Sequence, residues 1–457
     1  MSSPGRPEKQ VPVRSLSETA FKEICRQLEQ AFTDEKASAS FVCGGTIPMV
    51  EKLISVYWRN GKHDSQAQVV DLPVPSTGDD GNNRLVHSLV ASCEAASFGR
   101  NKETVMDPEY RKAGKLELDQ FATTFHPADH GILDEIAQNL VRNLDAGNAW
   151  LVPRRVEAEL YKLNVYSGPS GLFQKHVDTP LSENQIGSLV VCLPSPFKGG
   201  NLMVRHNGSE VDFAWEVHSA NTIQWAAFYS DCEHEIKTVS EGHRITLTYN
   251  LYAKVEASKP PSPVLDARSL PMYGLLKDVL QNPGFMKTGG VLGAFCAHSY
   301  PHAYEGVEKL LPQYLKGSDL GLYAVLHALG FKVEVLPVVV MHEGDEEWGY
   351  PQCWNPKTSR YKTDLQLNDE DVAIFVGPEL KAFDAMFNSG EEDYREESYE
   401  KPITWISDPQ HPAAAMAHIN YGNQAEAGLM YSYATIIAEI PAWNERQLRM
   451  QELTETE

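Results

Sequence analysis

From residue 157 onward the chain reads as short runs of β-branched, aromatic and leucine residues, each closed by a turn. The runs are 159–166, 187–193, 202–205, 222–229 and 244–252. The turns between them are Ser167-Gly168-Pro169-Ser170-Gly171, Lys198-Gly199-Gly200-Asn201 and His206-Asn207-Gly208. Many short strands separated by glycine turns predict a β-sandwich or jelly roll.

The flanks read differently. A chain of 457 residues predicts two to three domains. Residues 1–15 read as a disordered tail and 16–256 as the first domain, with its core at 157–252. Within it, Leu16, Phe21, Ile24 and Leu28 predict an amphipathic helix over 15–32. Residues 73–83 read as a loop, and 132–144 as a helix with Asp129 as N-cap. A linker, 257–270, opens on Ala-Ser-Lys-Pro-Pro-Ser. Beyond it lies a mixed α/β region, 271–445, with a helix over 304–329 stopped by Gly330, strands at 332–341 and 371–376, and an acidic loop at 390–400. Residues 446–457 read as a polar tail. The fold class is α+β: a jelly-roll core with flanking helices and a mixed C-terminal region.

Composition removes some functions. With 42% hydrophobic and 22% charged residues the chain has material for a real core. A net charge of −22 repels nucleic acid and anionic membrane alike, so neither is an expected partner. No apolar segment follows the N-terminus as a secretory signal would require, and none is long enough for a membrane helix. Seven scattered cysteines without a Cys-x-x-Cys fit reduced thiols, hence a cytoplasmic or nuclear setting.

Two histidines and one carboxylate on one face of a metal leave open positions for a co-substrate and dioxygen, the arrangement of non-haem iron oxygenases. Of fifteen histidines, only His176 has an acid two residues on, in His176-Val177-Asp178. Residues two apart on a strand point the same way. His206, His218, His234 and His243 are the candidates for the second histidine. A cation is also needed to hold the remote carboxylate of a keto-acid co-substrate. Ten residues beyond His234 stands Arg244; at the same distance the other three have Glu216, Phe228 and Ala253.

Tyr166, His176-Val177-Asp178, Gly199-Gly200-Asn201-Leu202, His234-Glu235-Ile236 and Arg244-Ile245-Thr246 together resemble the core of the prolyl 4-hydroxylase-like iron(II)/2-oxoglutarate-dependent dioxygenases. Residues 160–168 and Gly242-His243-Arg244 are similar to phrases of a fungal branch of that family, as are Thr404-Trp405-Ile406 and Tyr421-Gly422-Asn423 in the C-terminal region. The resemblance implies iron(II) on His176, Asp178 and His234. It implies 2-oxoglutarate on Arg244, helped by Thr246 and by Tyr166 or Tyr161, with ascorbate a possible auxiliary. Arginine takes a carboxylate by a two-pronged contact. Collagen-type members carry lysine there, so the resemblance leaves the target open between a peptide and a small molecule. Asp178 stands where halogenases have a small residue, which favours hydroxylation.

Less eventful roles compete. Tyr161 and Tyr166 are five apart, so a regular strand would aim only one of them at the site. Trp225 and Cys232 read as core. Thr246 reads equally as a carboxylate partner or a strand residue. His298 and His302 have helical metal-motif spacing, but Pro301 between them breaks a helix and favours a structural or inter-domain role. A jelly-roll binding protein without turnover is the alternative to an enzyme.

Overall fold

A computed structural model describes residues 15–38, 40–49, 53–59, 66–74, 80–100, 103–145, 154–255, 264–302, 311–342, 372–376, 401–407, 416–417, 421–422 and 430–455. The expected N-terminal tail (apart from Ser15), the start of the linker and the acidic loop 390–400 lie outside the described residues.

The core strands are β1 (Val42–Pro48), β2 (Arg154–Ser167), β3 (Gly171–His176), β4 (Gln185–Cys192), β5 (Leu202–His206), β6 (Thr222–Tyr229) and β7 (Glu233–Val255). The larger sheet runs β1-β6-β4-β7-β2 and continues through Gly114–Glu117 to Glu94–Ala95. β7 is 23 residues long and serves two sheets. Its first half pairs with β3, β5 and Phe197–Gly199, and its second half with β2 and β4. The change falls at Gly242, whose φ of 73° belongs to the left-handed region. A Cβ there would stand 2.2 Å from the Pro196 carbonyl oxygen, so only glycine fits. One strand shared by two sheets makes the jelly roll, and the space between the sheets becomes a pocket.

Alternation along β2 builds both of its faces. Leu163 and Val165 are buried in the apolar core, and β2 lies against the helix Ile132–Asn139. Lys162, Asn164 and Tyr166 face the other way, between the sheets. Each buried aliphatic side chain stabilises the sandwich by about 1.5–3 kcal/mol. Trp225 and Cys232 are buried core residues as expected. The helix expected over 132–144 ends at Asn139, and Asp129 lies in a 3-10 turn, Pro127–His130, capped by His126. Residues 80–83, read as loop, begin the helix Asp80–Ser92.

A second core forms around β8 (Gly290–His302), β9 (Lys332–His342) and β10 (Met430–Ile440). β10 is antiparallel to both of the others. Four helices belong to it: α1 (Glu18–Ser38), α2 (Pro271–Gln281), α3 (Gly317–Ala328) and α4 (Trp443–Glu455). Two boundaries differ from those read in sequence. Residues 264–266 are a strand paired with Asn143–Asp145, and Ala267–Ser269 a 3-10 turn capped by Asp266, so the linker ends earlier than 270. The expected polar tail is α4. Arg446, 1% exposed, donates to the carbonyls of Leu280, Asn282, Phe285, Met286 and Pro441, which satisfies a buried turn after α2. Helix α1 also crosses the expected boundary: its Cys25, Leu28 and Phe32 pack in this second core. No helix among the described residues is long and apolar enough to cross a membrane.

Candidate functional site

His176 ends β3 and His234 begins β7, and the two are partners in register. Their ring centroids are 4.1 Å apart. Asp178 follows two residues after His176, and its Oδ1 lies 3.7 Å from His234 Nε2. Ligand atoms of the three side chains fall within 4.8 Å of one another. All three residues are buried.

Backbone carbonyls fix both rings. His176 Nδ1 donates to Gln174 O at 2.8 Å, and His234 Nδ1 to Cys232 O at 3.1 Å. Each ring therefore keeps its proton on Nδ1 and offers the Nε2 lone pair. Burial, then the neighbouring His234, holds the His176 imidazole well below its usual range, so it stays in the neutral form that binds metals. Phe173 stacks on His176 with centroids 3.6 Å apart. The Ser188 hydroxyl, from β4, donates to Asp178 Oδ2 and leaves Oδ1 directed at His234.

Arg244 lies in the same cavity and is 0% exposed. Among the described residues none of its three guanidinium nitrogens has a hydrogen-bond partner. Its contacts are aromatic: Trp215 with its centroid 5.1 Å away and Tyr166 at 5.7 Å. An arginine that stays charged and is desolvated without donating a hydrogen bond costs several kcal/mol. Such a group fits an anion that is part of the working site. His176, Asp178 and His234, two imidazoles and one carboxylate, likewise fit a divalent iron.

Register sets the order along the cavity. Tyr166 faces Arg244, Asn164 faces Thr246, and Lys162 faces Thr248 across β2 and β7. All six line the cavity. The pairing skips Tyr161, which sits at a bulge between Leu160 and Lys162. The extra residue breaks the two-residue period, so Tyr161 and Tyr166 both reach the cavity, against the parity expected of a regular strand. Thr246 Oγ1 bonds the Asn164 carbonyl at 3.3 Å.

The other histidines are elsewhere. His218 is exposed, and His243 bonds Ser167 Oγ. His206, Asp231 and His298 form a second group whose ligand atoms lie within 4.8 Å. There Lys316 Nζ approaches Asp231 Oδ1 at 2.8 Å, while His298 Nδ1 and Ser299 N donate to Oδ2 at 3.1 and 3.0 Å. The carboxylate is thus satisfied by Lys316, His298 and a backbone N–H, and it ties the turn before His234 to the second core. His298 lies on a strand, and the side chain of His302 lies outside the described residues.

Sequence reading missed Arg111, Lys162, Asn164 and Ser188 in the site. Arg111 Nη1 donates to Ser97 O at 2.6 Å and Nη2 to Asn164 Oδ1 at 3.0 Å. It comes from the two-residue strand Arg111–Lys112, which no local pattern marks.

Residues 161–252 match the family model of the 2OG-Fe(II) oxygenase superfamily. That stretch holds every residue of the cavity except Arg111. It is a 2-oxoglutarate-dependent dioxygenase domain, and the superfamily uses iron(II) and 2-oxoglutarate. Among solved structures the chain is similar to a Pseudomonas putida prolyl-4-hydroxylase, with 15% identity, 49% of this chain and 98% of that one covered, and a TM-score of 0.24. A prolyl hydroxylase from Trichoplax adhaerens, solved with a hypoxia inducible factor oxygen degradation domain peptide fragment, gives 12%, 52%, 94% and 0.25. A 2OG-Fe(II) oxygenase family oxidoreductase from Burkholderia pseudomallei gives 14%, 55%, 100% and 0.22. No curated protein matches the chain.

Proposed function

We propose, from the premise that residues 161–252 are a 2-oxoglutarate-dependent dioxygenase domain, that His176, Asp178 and His234 hold iron(II) and that Arg244 holds the 5-carboxylate of 2-oxoglutarate. The single observation that carries this is the Arg244 guanidinium, fully buried, facing the same cavity as the triad, with three nitrogens unpartnered among the described residues.

Iron(II), 2-oxoglutarate and dioxygen together supply the oxidation of a substrate C–H bond, with release of succinate and carbon dioxide. The chain positions and shields. Backbone carbonyls hold both imidazoles aimed, burial keeps His176 neutral, and Ser188 fixes the carboxylate that completes the triad. Arg244 takes the remote carboxylate, and Tyr166 and Trp215 exclude water around it. Thr246 and Tyr161 line the path between. The product is a hydroxylated peptide side chain or small molecule.

The test is oxygen transfer. Purified protein given iron(II), 2-oxoglutarate and ascorbate acts on cell extract, with peptides and metabolites profiled separately for the gain of one oxygen. Succinate formation coupled to such a product supports the reading. Absence of 2-oxoglutarate binding moves the binding-protein alternative to the front.

A further inference from the structure

The cavity contains three cations, Arg111, Lys162 and Arg244, against one carboxylate, Asp178, in a chain whose net charge is −22. The site reading above uses Arg244 alone. Iron(II) with Asp178, and 2-oxoglutarate with Arg244, bring that part of the site to neutrality. Lys162 adds a further cation to that buried space, with Glu117 as its cross-strand neighbour, and Arg111 adds another, held by Ser97 and Asn164.

Lys162 is the sharper of the two. It is 6% exposed. Its ammonium lies 3.9 Å from the centre of the Tyr161 ring, and it makes no hydrogen bond among the described residues. Burial, against the pull of Glu117, pushes its pKa down to about 8. Position separates it from the Arg244 carboxylate. Lys162 and Tyr166, the Arg244 partner, are four residues apart on β2, roughly 13 Å at ~3.3 Å per residue. Register instead puts Lys162 at the metal end. It faces Thr248, which pairs on its other side with Val190, two residues from the Ser188 that holds Asp178.

We infer that Lys162, with Tyr161 beneath it and Arg111 beside it, is a subsite for a carboxylate carried by the substrate, placing that carboxylate near the metal end of the cavity. The inference rests on the dioxygenase site proposed above. It selects acidic substrates and disfavours lysine- or arginine-bearing ones, although the acidic chain as a whole would attract them. Arg111 cannot swing away, because Ser97 and Asn164 hold its guanidinium over Phe173 at 4.3 Å. It supplies a fixed field while Lys162 supplies the donors.

The test uses the full chain loaded with manganese(II) and 2-oxoglutarate under argon. N-acetylglutamate α-methylamide and its near-isostere N-acetylglutamine α-methylamide, which differ only in the side-chain carboxylate, are added separately, and the broadening of their proton lines by manganese reports binding near the metal. N-acetylglutamate with its α-carboxylate left free separates a free acid from a peptide side-chain carboxylate. The expected result is at least tenfold tighter binding of an acid than of the amide, removed by Lys162→Met and kept by Lys162→Arg. Affinity for 2-oxoglutarate, titrated before any probe, stays within threefold in Lys162→Met. Equal broadening by acid and amide, broadening by neither, or a preference that survives Lys162→Met overturns the inference. So does a tenfold loss of 2-oxoglutarate affinity in that variant, which would assign Lys162 to the co-substrate. The wild-type comparison stands even if a variant fails to fold. Failure of the wild type to bind 2-oxoglutarate defeats the underlying site reading instead, and is seen first.

Discussion

His176 and His234 stand opposite each other in register across two antiparallel strands, and each donates its Nδ1 proton to the carbonyl two residues before it. The pair is therefore preset by backbone, with both Nδ1 atoms engaged before any metal arrives. Single alanine changes at His176, Asp178 and His234 should each abolish stoichiometric iron(II) binding, while His243→Ala and His218→Ala should leave it intact. Metal titration by isothermal calorimetry checks this. Loss of binding in His243→Ala with retention in His234→Ala would reverse the assignment.

Ser188 holds Asp178 from β4. Ser188→Ala should weaken metal binding by roughly 10–100-fold, the usual effect of removing a group that orients a ligand. Ser188→Thr should recover most of it. The same calorimetry reads both, with unfolding midpoints recorded to separate affinity from stability.

Gly200 adopts a φ of 68°, and a Cβ there would meet Val239 Cγ2 at 2.7 Å and Arg244 Cδ at 3.1 Å. Gly200→Ala should cost about 1–2 kcal/mol in stability from the left-handed backbone. It should also displace Arg244, raising the 2-oxoglutarate dissociation constant severalfold with iron affinity unchanged. Equal effects on both ligands would mean a general loosening of the fold.

Asp231 joins the two cores through Lys316 and His298. Burial alone would raise its pKa, but Lys316 and then His298 outweigh burial and hold it well below the ordinary carboxylate value. A carboxyl lowered in the folded state contributes stability above its unfolded pKa and loses it as pH falls through the folded one. Stability should thus decline as pH drops below about 3.8, the unfolded value. Lys316→Met leaves the buried Asp231 carboxylate to His298 and Ser299 N without its lysine partner and should cost about 3–5 kcal/mol at neutral pH. Asp231→Asn combined with Lys316→Met should recover part of it. Urea unfolding of the wild type and the two variants is the measurement. A neutral Lys316→Met would show that the ion pair is not what joins the cores.

The parts of the site set by local geometry were legible in sequence. His176-Val177-Asp178 needs only the two-residue period of a strand, and Arg244 was found by its distance from His234. Cys232 and Trp225 were rightly read as core. Features that depend on distant partners were not legible. The bulge that brings Tyr161 into the cavity exists only in the pairing of β2 with β7. Arg111 enters from a two-residue strand outside the matched stretch. Residues 446–457 looked like a tail because they are polar, yet Arg446 is buried by carbonyls some 160 residues away in sequence. Helix α1 was given to the nearer domain in sequence, but its apolar face packs in the second core.

The central claim is that the unpartnered Arg244 guanidinium is the anchor for 2-oxoglutarate. Removing it would leave the co-substrate's remote carboxylate buried and unpaired. Breaking a buried ion pair costs about 3–5 kcal/mol, roughly two to four decades of affinity. The measurement is isothermal titration of 2-oxoglutarate into the manganese-loaded, oxygen-free protein, for the wild type, Arg244→Ala and Arg244→Lys. The account predicts a dissociation constant raised about 100-fold or more by Arg244→Ala, a smaller rise for Arg244→Lys because a point charge replaces the two-pronged contact, and unchanged manganese binding in both. An Arg244→Ala protein that binds 2-oxoglutarate as tightly as the wild type would contradict it.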